Sequence, residues 1–327
     1  MENCGFLANF APQMKIISDI ENIKRLPECA ATIGVFDGVH AGHQQIIQQM
    51  MADAKDYGYK SMAITFDRQP RELFDANYQP QLLTTLDEKK KLLGDCGVDY
   101  VVVIPFTMDM AQLSARDFMQ QVLMQKLNVK LLRLGYDNRF GRGRTEGFDD
   151  YVRYGSEMNM KVYRGVPLQF EGYTEPVSSS LIRRLITENG NVDAAVTMLT
   201  RPYQFSGRVA NGEHIGSTLG FPTANMEPED ANKLIPASGV YVVKVDLGDG
   251  KLRPAMMNIG TRPTFEGQKT TLEVNILDFA GDLYGKQLTV HFVERLRDER
   301  RFDSPEALVA QLEQDKQQVE QILNQTK

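Results

Sequence analysis

The sequence predicts a two-domain protein of the α/β plus β class. A doubly wound parallel sheet is expected first, and an antiparallel β-barrel with a closing helix second. The 327-residue chain is longer than one hydrophobic core usually supports. Its first half alternates apolar strands with helical segments, which is typical of a parallel sheet. Its second half holds closely spaced strand-like segments without helices between them, which is typical of a barrel.

Composition and charge limit the kinds of function. Hydrophobic residues make up 42% of the chain and charged residues 24%, as in ordinary globular proteins. The net charge of −6 argues against nonspecific nucleic-acid binding, so an anionic substrate needs locally placed basic groups. The three cysteines are too far apart for a disulfide framework or a zinc site. Without a long apolar run or a signal sequence, we expect a cytoplasmic protein with no membrane or nucleic-acid partner.

The elements of the first half follow from apolar patterning. The stretch from Thr32 to His43, TIGVFDGVHAGH, predicts a strand and a glycine turn, and apolar residues between Ile46 and Ala54 then continue as one helix face. A loop is expected at residues 67–70, and Ser114 with Asp117 resembles a capping box that opens a helix to about Leu127. The other predicted elements are strands at Lys60–Phe66, Tyr100–Ile104 and Val129–Leu134, and a helix at residues 86–96.

Two histidines stand out at the start of the first predicted helix. His40 and His43 are two of only four histidines in the chain. The free amides and the positive dipole end of a helix N-terminus attract anions, so two added imidazoles suit a polyphosphate whose charge shifts during reaction. The alternative is a pair of helix-start residues that bond only to the backbone. The predicted strand, turn and helix around them favour a functional site.

Two further segments of this half offer phosphate-binding groups. GYDNRFGRGR, at residues 135–144, follows a buried strand and combines flexible glycines with three arginines that could clamp phosphate. Alternatively it is a solvated loop or an RNA contact. VSSSLIRR, at residues 177–184, places serines at a helix start, where they could simply cap the helix or could hold phosphates with Arg183.

The second half predicts a short helix, several strands and a final helix. Residues 189–191 end one helix, Val192–Leu199 forms another, and Arg201-Pro202 closes the first half. Gly248-Asp249-Gly250 predicts a hairpin turn, and Ser304-Pro305 begins the closing helix. The strand segments are YQFSGRVA, GVYVVKVDL, LRPAMMNIG, TLEVNILDF and KQLTVHFVERL, and Leu308, Leu312, Val319 and Leu323 line one face of the last helix.

Three groups in the barrel half could carry chemistry. A glycine-studded stretch from Gly207 to Gly220 could wrap phosphates in backbone amides, although barrel turns also need glycine. Thr223 and Asn225 place two oxygen donors two residues apart, which suits magnesium, or else they stabilise a turn. Glu273 lies in a strand as either an outward surface residue or a base in a site, and alternation alone does not separate the two.

Several of these motifs together resemble one family. GVFDGVHAGHQ is similar to the signature of the HxGH nucleotidyltransferases, and in particular to the adenylyltransferase half of bacterial bifunctional riboflavin kinase/FAD synthetases. GYDNRFGRGR and VSSSLIRR resemble further segments of that half. GSTLGFPTANM, MNIGTRPTF, TLEVNILDF and LYGKQLTVHFVERLRDERRFDS resemble flavokinase segments. The resemblance covers nearly the whole chain in the family's order.

The resemblance implies two ATP-dependent reactions on one chain. The barrel would phosphorylate riboflavin to FMN with Mg²⁺, and the first domain would adenylylate FMN to FAD and release pyrophosphate. Implied domain limits are 1–187 for the FAD synthetase, 188–202 for a linker helix and 203–327 for the riboflavin kinase. The implied catalytic residues are His40, His43, Arg183 and Glu273, and the implied metal ligands are Thr223 and Asn225.

The resemblance also implies which residues hold the substrates riboflavin, FMN and ATP. ATP and its phosphates would be held by Gly34, Phe36, Gly42, Ser179, Ser180, Gly207, Gly212, Gly216 and Gly220. The flavin would be held by Asp137, Phe140, Gly141 and Arg297. His214 and His291 are expected to be structural or surface residues.

Some positions depart from the family pattern. Gln69, Ser180, Leu181 and Ser217 stand where relatives commonly carry other residues. One alternative is another nucleotidyltransferase, which would attach CMP or AMP to a phosphate such as phosphopantetheine, but the barrel half counts against it. The other is a flavin-binding regulator or RNA-binding module descended from such an enzyme, for which these departures would be early signs of decay. The retained histidines, Thr223, Asn225 and Glu273 favour the enzyme.

Overall fold

The chain folds into two compact units. The computed structural model describes residues 14–210, 221–264 and 267–325. The first unit ends at Val177, except that Gln81–Leu83 group with the second unit, which begins at Ser178. These limits follow from compactness. The predicted domain limits (1–187, 188–202 and 203–327) concern which residues carry each activity, and they stay predictions.

The first unit is built on a parallel sheet of six strands, which confirms the predicted doubly wound half. From one edge to the other the strands are β1 (Lys15–Ile17), β4 (Tyr100–Ile104), β3 (Lys60–Phe66), β2 (Cys29–Ile33), β5 (Val129–Leu134) and β6 (Lys161–Arg164). The order reverses between β2 and β5. In open parallel sheets ligands bind beyond the carboxyl ends of strands at such a reversal. The stretch TIGVFDGVHAGH runs from the end of β2 through the following loop to the start of α1, and GYDNRFGRGR follows β5.

Helices cover both faces of this sheet. Ala30, Ala63 and Leu131 face one apolar cluster, and the neighbouring Ala31, Ile64 and Leu132 face the other, since strand residues alternate. The helices of this unit are α1 (Ala41–Tyr57), α2 (Pro70–Phe74), α3 (Leu86–Asp95), α4 (Met108–Gln112), α5 (Ala115–Asp117) and α6 (Phe148–Glu157).

Helix α2, a π-helix and the strands β1 and β6 of the first unit were not predicted as they occur. The predicted loop at residues 67–70 leads directly into α2, because the Glu72 carboxylate accepts the Gln69 N–H at 2.7 Å and Pro70 suits a first helical turn. The helix predicted to Leu127 continues from α5 as a π-helix, Phe118–Lys126. Strands β1 and β6 are short edge strands whose segments gave no clear pattern.

The second unit is a closed antiparallel barrel, as predicted. The described strands follow one another around it as β10 (Leu252–Thr264), β11 (Gly267–Ile276), β8 (Ala224–Pro228), β7 (Gln204–Ala210), β12 (Gln287–Arg297) and β9 (Gly239–Asp246). Helices α7 (Ser179–Glu188) and α8 (Val192–Leu199) precede it, and α9 (Pro305–Gln325) closes the chain. Val319 and Leu323 of α9 are buried against Phe221, Val242 and Met256.

Two further observations concern the helices and the thiols. No described helix is long and apolar enough to cross a membrane. Cys29 and Cys96 are free thiols, and burial raises the pKa of Cys29 to about 12. Cys4 lies outside the described residues.

Candidate active sites

His40 and His43 lie together at the beginning of α1, as the sequence predicts. His40 is the N-cap residue, and its Nδ1 accepts the N–H of His43 at 3.3 Å. The two imidazole rings stack with their centroids 3.6 Å apart. The Phe36 and His43 rings lie nearly perpendicular to each other, with their centroids 5.1 Å apart. A Cβ at Gly42 would lie 3.3 Å from the His40 ring, so a larger residue there would crowd the pair.

The turn before the histidines is strained and firmly held. Phe36 and Val39 have positive φ angles of 51° and 38°, which non-glycine residues rarely adopt. The buried Asp37 carboxylate accepts the Thr84 N–H at 3.0 Å, and the Gly38 N–H donates to the Thr84 hydroxyl at 3.0 Å. These bonds fix the direction in which the chain enters α1.

Lys89 also holds the loop after β2 in place. Its buried ammonium donates to the carbonyl oxygens of Val35 at 3.2 Å and Phe66 at 2.9 Å, and so joins the loop after β2 to the end of β3. Burial lowers the pKa of Lys89 to about 8. Sequence reasoning missed this residue, because it lies in the run DEKKK, which looks like a solvated helix face.

Burial sets the charge state of His43. Burial first, and then the neighbouring His40 and Lys89, lower the pKa of His43 well below its ordinary value of 6.5. His43 is therefore neutral near pH 7. A neutral imidazole stabilises charge through its N–H as a hydrogen-bond donor.

The lowered pKa of His43 predicts a dependence of stability on pH. The unfolded chain takes up a proton at His43 more readily than the folded chain, so the free energy of unfolding should fall as the pH drops from about 7 to about 5. In His43→Gln this fall should be smaller, while His291, whose pKa burial also lowers, contributes equally in both proteins. Urea unfolding at several pH values measures the difference. Equal pH slopes in both proteins would contradict a His43 that stays neutral in the folded protein.

A cavity of about 780 Å³ lies at the carboxyl ends of the strands in the first unit. The loop after β2, helix α2 and the glycine-arginine loop form its walls. Of the predicted residues, Gly34, Phe140 and Gly141 line it. Asp137 is exposed and, like Phe36, His40 and His43, is not part of the lining. The cavity is also lined by apolar, aromatic and basic residues that sequence reasoning missed: Phe66, Arg71, Phe74, Tyr78, Phe106 and Met110.

The fully buried Tyr151 shapes the glycine-arginine loop. Its hydroxyl accepts the Phe140 N–H at 3.0 Å and lies 3.1 Å from the carbonyl oxygens of Phe140 and Glu146. Its ring stacks on the Phe140 ring with a centroid distance of 4.3 Å. Tyr151 thus fixes both the backbone and the ring of a residue that lines the cavity.

Gly141 permits a close approach in the same loop. Its φ angle is +90°, and a Cβ would lie 2.6 Å from the backbone nitrogen of Ala115. We predict that Gly141→Ala lowers the free energy of unfolding of the first unit by about 2 kcal/mol or more, because the loop must move away. The variant should also raise the KM for FMN, the substrate that the sequence resemblance implies. Urea unfolding and steady-state kinetics measure these effects.

Gly143 is the matched control for this prediction. Its φ angle is also positive, at +70°, but the nearest atom to a Cβ would be 3.7 Å away. Gly143→Ala should therefore show only the backbone strain, about 1 kcal/mol. Equal losses in the two variants would mean that the clash with Ala115 has no effect.

The barrel has a cavity of its own, of about 310 Å³. Glu273 of β11 lines it, whereas its neighbours Leu272 and Val274 are buried in the barrel core. Across the sheet, Glu273 stands opposite Asn258 on β10 and Asn225 on β8. Glu273 is therefore a cavity residue rather than an outward-facing one, which alternation alone could not decide.

Oxygen-bearing side chains gather around this carboxylate. Thr223 and Asn258 line the cavity with Glu273, as does Asn275, whose amide donates to the Pro222 carbonyl at 2.8 Å. Asn225 is half-buried on β8 and is not part of the lining. No group of three or more His, Cys, Asp or Glu side chains suited to a metal ion occurs among the described residues.

The predicted phosphate-binding glycines are only partly described. Gly207 is buried in β7, and a Cβ there would lie 2.5 Å from the carbonyl oxygen of Glu227 on β8. The structure thus gives Gly207 a packing role, because it lets two strands approach closely. Gly212, Gly216 and Gly220, together with His214 and Ser217, lie outside the described residues. Their phosphate contacts stay predictions.

Arg297 enters the barrel cavity at the end of β12. Its guanidinium is bound to the fully buried Asp315 of α9, with the shortest N–O distance 2.7 Å, and its Nη1 donates to the Asp298 carbonyl at 3.0 Å. Arg300 and Phe302 line the same wall. Sequence reasoning found Arg297 but not Asp315.

The serine segment begins α7 in the second unit. Ser178 is the N-cap residue and accepts the Leu181 N–H at 3.2 Å. Ser179 is half-buried and Ser180 is exposed in the first helical turn. The Arg183 Nε donates to the Gln81 carbonyl at 2.8 Å. Capping thus falls to Ser178, and contacts of Ser179, Ser180 and Arg183 with phosphate stay predictions.

A parallel α/β unit followed by a small barrel whose cavity holds both carboxylates and arginines is consistent with a two-domain, nucleotide-dependent transferase. Two family models match, FAD synthetase at residues 22–181 and riboflavin kinase at residues 199–323. The chain belongs to the bifunctional riboflavin kinase/FMN adenylyltransferase family, which confirms the predicted resemblance.

Curated relatives and a solved structure match along nearly the whole chain. The bifunctional riboflavin kinase/FMN adenylyltransferase of Escherichia coli K12 is 38% identical over 317 residues, which cover 96% of this chain and 99% of the relative. That of Pseudomonas fluorescens is 38% identical and covers 90% and 93%. A solved structure described as a macrolide-efflux protein from Streptococcus pneumoniae has a TM-score of 0.83, at 30% identity and with coverage of 93% and 98%. The alternatives of a different nucleotidyltransferase or a binding module are not favoured.

Proposed function

We propose that the chain makes FMN and then FAD from riboflavin. The barrel transfers the γ-phosphoryl group of ATP to the 5′-hydroxyl of the ribityl chain, and the first unit joins AMP from a second ATP to the FMN phosphate. The observation that carries this proposal is the occurrence of both family matches in one chain. The cavity in each unit supports it, because each substrate needs its own binding space.

In the barrel, Glu273 would act as general base. The carboxylate lines the cavity, where it can accept the proton of the attacking hydroxyl while the oxygen forms its bond to phosphorus and ADP leaves. Arg297 in the same wall would hold the flavin. Positioning and charge neutralisation supply most of the rate in phosphoryl transfer.

The donors in this cavity suit a magnesium ion. Mg²⁺ prefers oxygen ligands and usually bridges protein to substrate phosphates. The Thr223 hydroxyl and the Glu273 carboxylate line one cavity, and Asn225 stands opposite Glu273 in the strand register. Thr223 and Asn225 would hold the ion. When bound, it would neutralise the charge of the transferring phosphate.

In the first unit, an FMN phosphate oxygen would attack the α-phosphorus of ATP, and the bond to pyrophosphate would break. His40 and His43 would donate hydrogen bonds to the charge that develops on the phosphoryl oxygens. The cavity lined by Phe140 and Phe106 would hold the flavin ring, since aromatic walls suit a flat conjugated ligand. From the sequence resemblance alone, we keep Ser179, Ser180 and Arg183 as the proposed ligands of the leaving pyrophosphate.

The proposal is tested by incubating the purified protein with riboflavin, ATP and Mg²⁺ and separating the flavins by chromatography. FMN should form first and FAD should follow. With FMN supplied instead of riboflavin, FAD should form directly. A chelator should stop the formation of FMN from riboflavin, because the proposed magnesium site lies in the barrel. Absence of both products, in a protein that is folded by circular dichroism, would overturn the proposal. We further propose that the protein works in the cytoplasm.

A further inference from the structure

The last helix of the chain organises the arginine wall of the barrel cavity. Asp315 on α9 is fully buried, and its two carboxylate oxygens accept the Arg297 Nε at 3.1 and 3.2 Å and the Nη2 at 2.7 Å. Side-on pairing of this kind holds a guanidinium in one plane. Burying a carboxylate without a cationic partner costs a large amount of free energy. Loss of the Arg297 contact would leave Asp315 without its cationic partner, so this cost holds Arg297 in place.

One turn earlier on the same helix, Gln311 extends the arrangement. Its amide nitrogen donates to Asp315 Oδ1 at 2.8 Å, and its amide oxygen accepts from the Arg300 guanidinium. Both arginines lie near the Phe302 ring, with guanidinium carbons 5.9 Å (Arg297) and 4.7 Å (Arg300) from its centroid. Two residues of α9 thus hold two cations on one wall of the cavity.

The number of N–H donors that remain on Arg297 decides what this arrangement can do. A guanidinium has five N–H groups. Asp315 occupies the Nε–H and one N–H of Nη2, and the Asp298 carbonyl accepts one from Nη1 at 3.0 Å. Arg297 lines the cavity, so donors remain for a ligand. A preset arginine binds with less loss of side-chain entropy than a mobile one.

From this geometry we infer that Asp315 is a positioning residue for the kinase reaction, one that acts on riboflavin through Arg297. The inference deepens the proposed function and rests on it, since it assumes that riboflavin enters the barrel cavity. Asp315 does not touch the substrate. It fixes the plane in which Arg297 presents its remaining donors to the oxygen or nitrogen acceptors of the flavin.

The test compares Asp315→Asn with Leu323→Ala. Asparagine keeps the shape and one oxygen but removes the charge that orients the guanidinium. The KM for riboflavin should rise about tenfold with little change in kcat, as for the loss of about one charge-assisted hydrogen bond. Leu323 is a buried apolar residue two turns further along α9. Leu323→Ala should lower the unfolding temperature but leave the KM within about twofold, since it only creates a cavity.

A double-mutant cycle with Arg297→Ala separates the possible failures. If Asp315 acts through Arg297, the double variant should have the same KM as Arg297→Ala alone. The inference would be overturned if Asp315→Asn raised the KM by the same factor in the Arg297→Ala background as in the parent protein. It would also be overturned if Asp315→Asn left the KM of the parent protein unchanged. If Arg297→Ala itself leaves the KM unchanged while FMN is still made, the proposed flavin contact of Arg297 fails and the kinase assignment stands. If no variant or parent makes FMN, the kinase assignment itself fails.

Discussion

Replacing His43 by alanine should abolish FAD formation and leave the conversion of riboflavin to FMN intact. The imidazole sits at the start of α1, stacked on His40, and burial keeps it neutral. Its proposed role is to donate a hydrogen bond to the phosphoryl oxygens as charge develops on them. Removal of one such donor commonly lowers kcat by about a hundredfold to a thousandfold. Chromatography of the flavins formed from riboflavin and ATP should show FMN accumulating without FAD.

Gln48→Ala is the control for this experiment. Gln48 is exposed on the same helix, α1. This variant should make FAD at the parent rate, since truncation of an exposed helix residue changes stability little. Loss of FMN formation in a folded His43→Ala protein would contradict two separate sites, and normal FAD formation would remove His43 from the mechanism.

Replacing Glu273 by glutamine should have the opposite effect. Glutamine has nearly the same shape as glutamate, but it cannot accept a proton at neutral pH. FMN formation should fall by about a hundredfold or more, as expected for the loss of a general base. When FMN is supplied, FAD formation should continue at the parent rate. Initial rates of ADP release with riboflavin, and of pyrophosphate release with FMN, measure the two reactions separately.

Glu227→Gln provides the matched comparison. Glu227 is an exposed residue of the neighbouring strand β8, and the substitution changes charge in the same way. It should leave both reactions unchanged. If Glu273→Gln retains full kinase activity, another group must take the proton, and the assignment of the base is wrong.

Most of the fold could be predicted from apolar patterning. Strands such as Lys60–Phe66 and Tyr100–Ile104 are almost wholly buried central strands, so most of their residues are apolar and their limits are clear. The edge strands Lys15–Ile17 and Lys161–Arg164 are short and partly exposed, and their pairing depends on neighbours that local sequence does not reveal. The π-helix after Asp117 likewise depends on packing rather than on local preference.

The candidate sites were predictable only where a short motif carries the chemistry. His40 and His43 are recognisable because glycine, histidine and helix signals occur together. Lys89, Tyr151 and Asp315 were not, because each acts on partners outside its own helix: Lys89 on Val35, Tyr151 on Phe140 and Asp315 on Arg297. Their patterns are those of an ordinary charged run or a helix face, and only the folded chain shows which groups they hold.

The strand order of the first unit has a consequence for synthesis on the ribosome. Strand β5 pairs beside β2, although residues 34–128 separate them along the chain, and contacts of such long range form slowly. During synthesis the turn that bears the imidazoles is translated well before Phe140, which lines the cavity of the first unit. The contacts that fix Phe140 form only after Tyr151 has emerged, so a chain truncated before Tyr151 would lack the residue that holds this cavity wall.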